Sequence, residues 1–111
     1  MIRGVVYQVD LGQAPRGHEQ RGRRYGLVVS PSDMALSVVT VVPTSTSAGP
    51  AVYRPEMEVA GRATRFLVDQ VRVIDIDYIG EPVDYLTRDQ MAQIEHTLAN
   101  YLGLLCPPAP D

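Results

Sequence analysis

Up to about residue 86 the chain is a series of short β-branched and aromatic runs cut apart by Gly, Pro and Ser clusters, and only then does a single helical pattern begin. This order leaves no helix–strand alternation, so it restricts the fold to a small β structure closed by one helix at its C-terminal end. Val5 to Leu11 alternates in part and reads as the first strand. Gly12 to Arg23, rich in Gly, Pro and Arg, reads as a loop too long for a tight hairpin, and long loops in small domains often carry function. Tyr25 to Ser30 and Ser37 to Val42 are two further strands, split by Pro31-Ser32-Asp33. Pro43 to Pro50 reads as irregular, Val52 to Val59 and Arg65 to Ile76 as strands, Gly80-Glu81-Pro82 as a turn, and Val83 to Leu86 as a last short strand.

The helix announces itself locally. Thr87-Arg88-Asp89-Gln90 has the Thr-x-x-Gln form of a capping box. Met91, Ile94, Leu98, Tyr101 and Leu102 follow at steps of three and four and predict one apolar, core-facing stripe, which Gly103 can end in a left-handed conformation. Many short strands and one helix predict a small, partly closed antiparallel barrel. A length of 111 residues suits one domain, expected over residues 1–105, with 106–111 a flexible Pro-rich tail. Cys106 is the sole cysteine and lies in that tail, so it reads as an unreactive thiol. No apolar run reaches the ~18 residues of a membrane helix and no signal-peptide pattern opens the chain, so the expectation is a soluble, cytoplasmic protein without membrane contact.

Charge is unevenly spread. Residues 1–72 carry nine Arg and six acids, whereas residues 73–111 carry one Arg and seven acids. Arg16, Arg21, Arg23 and Arg24 crowd one short stretch with His18, and the chain has no Lys. Arg presents a planar fork that matches phosphate oxygens in pairs, which an ammonium does not.

Several chemistries are excluded. No His/Cys/Asp/Glu set has zinc or two-metal spacing, and no phosphate-binding Gly loop or Gly-x-Ser-x-Gly elbow is present, so no cofactor is expected. His18 and His96 fall on a loop and a distant helix face, which does not suit a two-histidine ribonuclease; His96 reads as a surface residue. One metal-free route to RNA cleavage remains. The ribose 2′-hydroxyl attacks the adjacent phosphorus, so the protein need only neutralise the phosphorane and help move two protons. Arg24, Glu19, His18 and the hydroxyls of Thr44, Ser45 and Thr46 are side chains of the right types.

These residues sit in a recognisable series. Arg3-Gly4-Val5-Val6-Tyr7-Gln8-Val9-Asp10-Leu11 resembles the opening of MazF/PemK/Kid toxins, and Gly17-His18-Glu19-Gln20-Arg21-Gly22-Arg23-Arg24 resembles their Gly-Ser-Glu-Gln-x-Gly-x-Arg loop. Leu27-Val28-Val29-Ser30, Val39 to Ser45, Asp69-Gln70-Val71-Arg72 and Tyr101-Leu102-Gly103-Leu104 follow in the family's order, so the resemblance covers about residues 2 to 105. It implies an SH3-like barrel of the MazF/CcdB kind, a homodimer, sequence-specific cleavage of single-stranded RNA, and neutralisation by a cognate MazE-like antitoxin, typically acidic and partly disordered.

By position, the resemblance makes Arg24 the essential arginine, Ser45 the active-site hydroxyl and Glu19 the loop carboxylate, with Thr44 or Thr46 as neighbouring hydroxyls. His18, Gln20, Arg21, Arg23, Thr44, Thr46, Asp69, Gln70 and Arg72 are the expected RNA contacts. For Asp69, Gln70 and Arg72, contact with a partner protomer, or an Asp69–Arg72 salt bridge, is the alternative. Tyr25 replaces the family's Pro, Ser45 its Thr, His18 its Ser, and Leu67 a Kid-type Arg. The competing functions are a CcdB-like gyrase poison and a barrel that binds RNA or protein without cutting.

Overall fold

The computed structural model describes residues 1–12, 23–32 and 37–104. Among these residues seven strands form one antiparallel sheet: β1 (Val5–Asp10), β2 (Arg23–Val28), β3 (Val38–Ser45), β4 (Glu56–Val59), β5 (Arg62–Phe66), β6 (Arg72–Asp75) and β7 (Ile79–Tyr85). They run in the order β4-β5-β3-β2-β1-β7, with β6 also paired to β3. One helix, α1 (Arg88–Tyr101), follows.

The sheet is buried on both faces. Val6 and Tyr7 are neighbours on β1, so they point to opposite sides. Val6 joins Leu27, Val42, Met57, Phe66 and the helix residues Met91 and Ile94 in one cluster. Tyr7 joins Val9, Val28, Val41 and Ile74 in the other, with Ile79 packed against it. Ile74 and Ile79 come from β6 and β7, which pair with different strands, β3 and β1. Their meeting in one cluster is what curls the sheet into a half-barrel. Gly26 on β2 lies so close to Val9 that a Cβ there would meet both Val9 methyls at 3.2 Å.

The helix ends as expected. Thr87 Oγ1 accepts from the Gln90 amide, and Gln90 Oε1 accepts from the Thr87 amide. At the other end Gly103 takes φ +74°. Its amide donates to Asn100 O and that of Leu104 to Ala99 O, a Schellman closure. Met91 and Ile94 are buried and Leu98 packs against the same cluster, but Leu102 is exposed, so the apolar stripe is shorter than its spacing suggests. The opening Arg3-Gly4 pair is structural. Arg3 Nε donates to Val29 O, its guanidinium meets Glu95 of α1 at 2.8 Å, and Gly4, at φ +89°, bonds through its own amide and carbonyl to Val28 and Leu86.

Four expectations for the strands are corrected. Pro43 to Ser45 belongs to β3. A proline is tolerated there because its missing N–H would point the same way as its carbonyl, toward Leu67, at the gap where β3 changes partner from β6 to β5. Gly80-Glu81-Pro82 is strand, not turn, because β7 pairs with β1 and, among the described residues, no strand is hydrogen-bonded to its other side, so the proline needs no second ladder. The strand expected over 52–59 begins only at Glu56, after a bend that places Arg54 and Tyr53 against the 3-10 turn Val68–Gln70. The strand expected over 65–76 is two strands separated by that turn.

Candidate functional site

Strand alternation builds the site. On the helix side of the sheet, β1, β2 and β3 bury Val6, Leu27 and Val42; two residues further along, the same positions carry Gln8, Tyr25 and Thr44. Beyond these stand Asp10 and Arg23, which are cross-strand partners. All border one open concavity of about 580 Å³ at the strand ends.

Arg24 and Ser45 alternate to the other face, yet they border the same opening because it lies at the edge where both faces end. The β2–β3 register runs Val28↔Val41, Leu27↔Val42 and Gly26↔Pro43, and a hydrogen bond from Thr44 to Tyr25 O carries the contact on toward the ends where Arg24 and Ser45 stand. The guanidinium and the hydroxyl expected to act together thus share one concave surface.

The hydroxyls differ in what they already do. Ser45 is 7% exposed, and its Oγ accepts from the amides of Ser47 and Ala48 at 3.2 and 3.1 Å, a turn at the strand end. Accepting two bonds leaves its proton to be donated, to Ser47 Oγ at 3.3 Å or to a ligand. Thr44 is buried and donates to Tyr25 O at 3.0 Å. Thr46 is exposed at the rim.

Three residues that sequence reasoning did not single out complete the wall. Arg62 opens β5, and Asp77 and Tyr78 lie on the 3-10 turn Ile76–Tyr78 between β6 and β7. Arg23, Arg24 and Arg62 outnumber Asp10 and Asp77 among the lining residues, so the surface carries net positive charge and suits an anion. The signal for Arg62 was weak, one Arg after a Gly; Asp77 and Tyr78 sat between the end of an expected strand at Ile76 and an expected turn at Gly80.

Asp69, Gln70 and Arg72 do not border the concavity. Both Asp69 oxygens accept from Arg54, at 3.0 and 2.9 Å. That hydrogen bond, and then the charge behind it, raise the Arg54 pKa against the opposing pull of burial. The Asp69 carbonyl also accepts from Tyr101, whose ring packs edge-on against Tyr53 at 5.1 Å. The Asp-Gln-x-Arg segment therefore begins as a brace between the helix and the bend before β4. His18, Glu19, Gln20 and Arg21, like the tail with Cys106, lie outside the described residues. His96 is exposed on α1. Among the described residues no group of three or more His, Cys, Asp or Glu comes together to hold a metal ion, and no helix is long and apolar enough to cross a membrane.

A curled antiparallel sheet followed by one C-terminal helix is the fold the resemblance implied. The profile of the PemK-like, MazF-like toxins of type II toxin–antitoxin systems matches residues 2–102. The chain belongs to that family. A Mycobacterium tuberculosis (strain ATCC 25618 / H37Rv) chain named as a candidate toxin, Rv3098A/RVBD_3098A, is 70% identical over 105 residues, covering 94% of this chain and 99% of its own length. In fold the chain is similar to MazF (Form-I) from Deinococcus radiodurans, with a TM-score of 0.81 at 23% identity over 93% of this chain and 96% of that one. It is also similar to an endoribonuclease from a mycobacterial species, solved in complex with its cognate antitoxin, with a TM-score of 0.79 at 24% identity over 96% and 99% of the two chains.

Proposed function

We propose that this chain is a cytoplasmic toxin endoribonuclease. It cuts single-stranded RNA at particular sequences by metal-free attack of the ribose 2′-hydroxyl, arrests translation and growth, works as a homodimer, and is neutralised by a cognate MazE-like antitoxin. The observation that carries this reading is the basic concavity that Arg24 and Ser45 both line. Family membership and the fold shared with an endoribonuclease that is bound by its antitoxin support it.

In the proposed reaction the 2′-oxygen bonds to phosphorus, the 5′-oxygen leaves with a proton, and a 2′,3′-cyclic phosphate remains. Arg24 neutralises the pentavalent phosphate; with a reference pKa above ~12, it serves poorly as a free base. Ser45 donates its remaining proton to a phosphate oxygen, and Thr46 is the adjacent alternative. Glu19 orients Arg24. His18, Gln20, Arg21, Arg23 and Thr44 hold the flanking nucleotides, whereas Asp69, Gln70 and Arg72 reach RNA, or the partner protomer, only across the dimer.

The test is incubation with mixed single-stranded RNA in excess EDTA, followed by analysis of fragment ends. Fragments ending in cyclic phosphate are expected. Arg24→Ala should slow cutting about a hundredfold, as loss of one transition-state contact of ~3 kcal/mol does, and Ser45→Ala should slow it less. Unchanged cutting by Arg24→Ala removes that residue from the mechanism. RNA bound but left intact would make the chain a binding barrel, and intact RNA with inhibited supercoiling would make it a gyrase poison.

A further inference from the structure

Resting on the endoribonuclease reading, we propose that Asp77 and Tyr78 form a guanine-reading notch, so that cleavage depends on a guanine beside the scissile phosphate.

The two residues project from a turn whose backbone is fixed before any ligand arrives. The Asp75 carboxylate caps the turn by accepting from the Asp77 amide at 2.9 Å. The Ile76 amide donates to Ser37 O at 3.0 Å, and that of Ile79 closes the turn onto Ile76 O. Asp77 contributes only its backbone to this frame. Its carboxylate is exposed at the concavity, and no described residue hydrogen-bonds or ion-pairs with it. Tyr78 beside it is 55% exposed and Tyr25, which lines the same opening, is 37% exposed; neither ring stacks on another among the described residues.

A carboxylate in a site for a polyanion needs a reason, since it repels phosphate. It accepts hydrogen bonds and donates none, so it selects a partner with donors. Only guanine shows two adjacent donors, N1–H and N2–H, on one edge, spaced for the two oxygens of a carboxylate. Adenine and cytosine set a single amino donor beside a ring acceptor, and uracil flanks its N3–H with two carbonyls; each puts an acceptor lone pair against Asp77. Single-stranded bases are read by stacking on aromatic faces with hydrogen bonds to their Watson–Crick edges. Tyr78 supplies the face and Asp77 the edge contact. Arg24, which lines the same concavity, takes the phosphate. Asp77, one of two acidic residues lining a basic groove, is then the element of selectivity.

The experiment maps wild-type cut sites on a randomised single-stranded RNA pool and compares rates on a cut oligonucleotide in which the adjacent guanine is replaced by inosine, which lacks the N2 amino group. A guanine within one nucleotide of the cut is expected, with inosine lowering the rate about tenfold, as loss of half of a bidentate base contact does. Asp77→Asn should shrink the ratio of guanine to non-guanine cuts within one pool about tenfold or more. Tyr78→Ala should raise KM for every base alike, and Tyr78→Phe should restore it. Because the readout is a ratio within one pool, it does not depend on each variant's overall rate. Cuts by the wild type without nearby guanine, or a ratio unmoved by Asp77→Asn, overturn the notch and leave the nuclease standing. No cutting by the wild type overturns both.

Discussion

The two ends of the central strands have the same backbone and the same alternation, and differ in what lies over them. At the end under α1, Val6, Leu27 and Val42 are fully buried with Met91 and Ile94. Two and four residues on, Gln8 and Tyr25, then Asp10 and Arg23, stand exposed around the concavity. One end supplies the stability that burial of apolar area brings, roughly 1.5–3 kcal/mol per large side chain. The other contributes little to it, and its residues are therefore available for charge and hydrogen-bonding chemistry. Thr44 marks the boundary: buried like the first group, polar like the second.

Substitutions can break or sharpen that contrast. The largest effect is expected from Ile94→Ala, which empties a fully buried position on the helix and should lower unfolding free energy by about 3 kcal/mol in urea titrations. Below its melting temperature this variant should cut RNA at the wild-type rate; slower cutting by folded protein would show that the two ends are coupled. Thr44→Val, at the boundary, removes the bond to Tyr25 O and should cost about 1 kcal/mol by thermal denaturation. The smallest effect is expected from Arg54→Met, in the brace against the helix. Its pair with Asp69 is about a quarter exposed on each side, and its loss should cost about 0.5 kcal/mol. The Asp69 hydrogen bond raises the Arg54 pKa, so any stability tied to that proton is fully present below the ordinary arginine pKa and lost only as pH climbs through the raised one. Between pH 6 and 9 the cost of Arg54→Met should therefore stay constant.

Legibility in the sequence followed the range of the interactions. Thr87 and Gln90 are three residues apart and Leu102-Gly103-Leu104 is contiguous, so both helix ends could be read directly. The strand cores Val5 to Asp10 and Val38 to Val42 showed in composition. Pro43 and Pro82 misled, because proline's usual meaning as a breaker depends on whether a neighbouring strand needs its N–H, and the neighbour is set by the fold. The reactive types Arg24, Ser45, Thr44 and Thr46 were legible from chemistry and from the family series, and they do border one concavity. Arg62, Asp77 and Tyr78 were not, since nothing local distinguishes them from other surface residues. Asp69 was legible as a motif but not as a brace, because Arg54 is set against it only by the bend before β4.

What the chain determined by itself was its alternation, its helix caps, its basic N-terminal and acidic C-terminal portions, and its family, all properties of neighbours or of order along the chain. Tertiary structure alone decided that Val9 meets Ile79 and that Val41 meets Arg72. Those distant pairings curl the sheet and carry Asp77, Tyr78 and Arg62 to the rim beside Arg24. Hydrogen bonding between strands is indifferent to side-chain identity, so which strands meet is selected by the joint burial of both apolar clusters, a condition no single segment expresses.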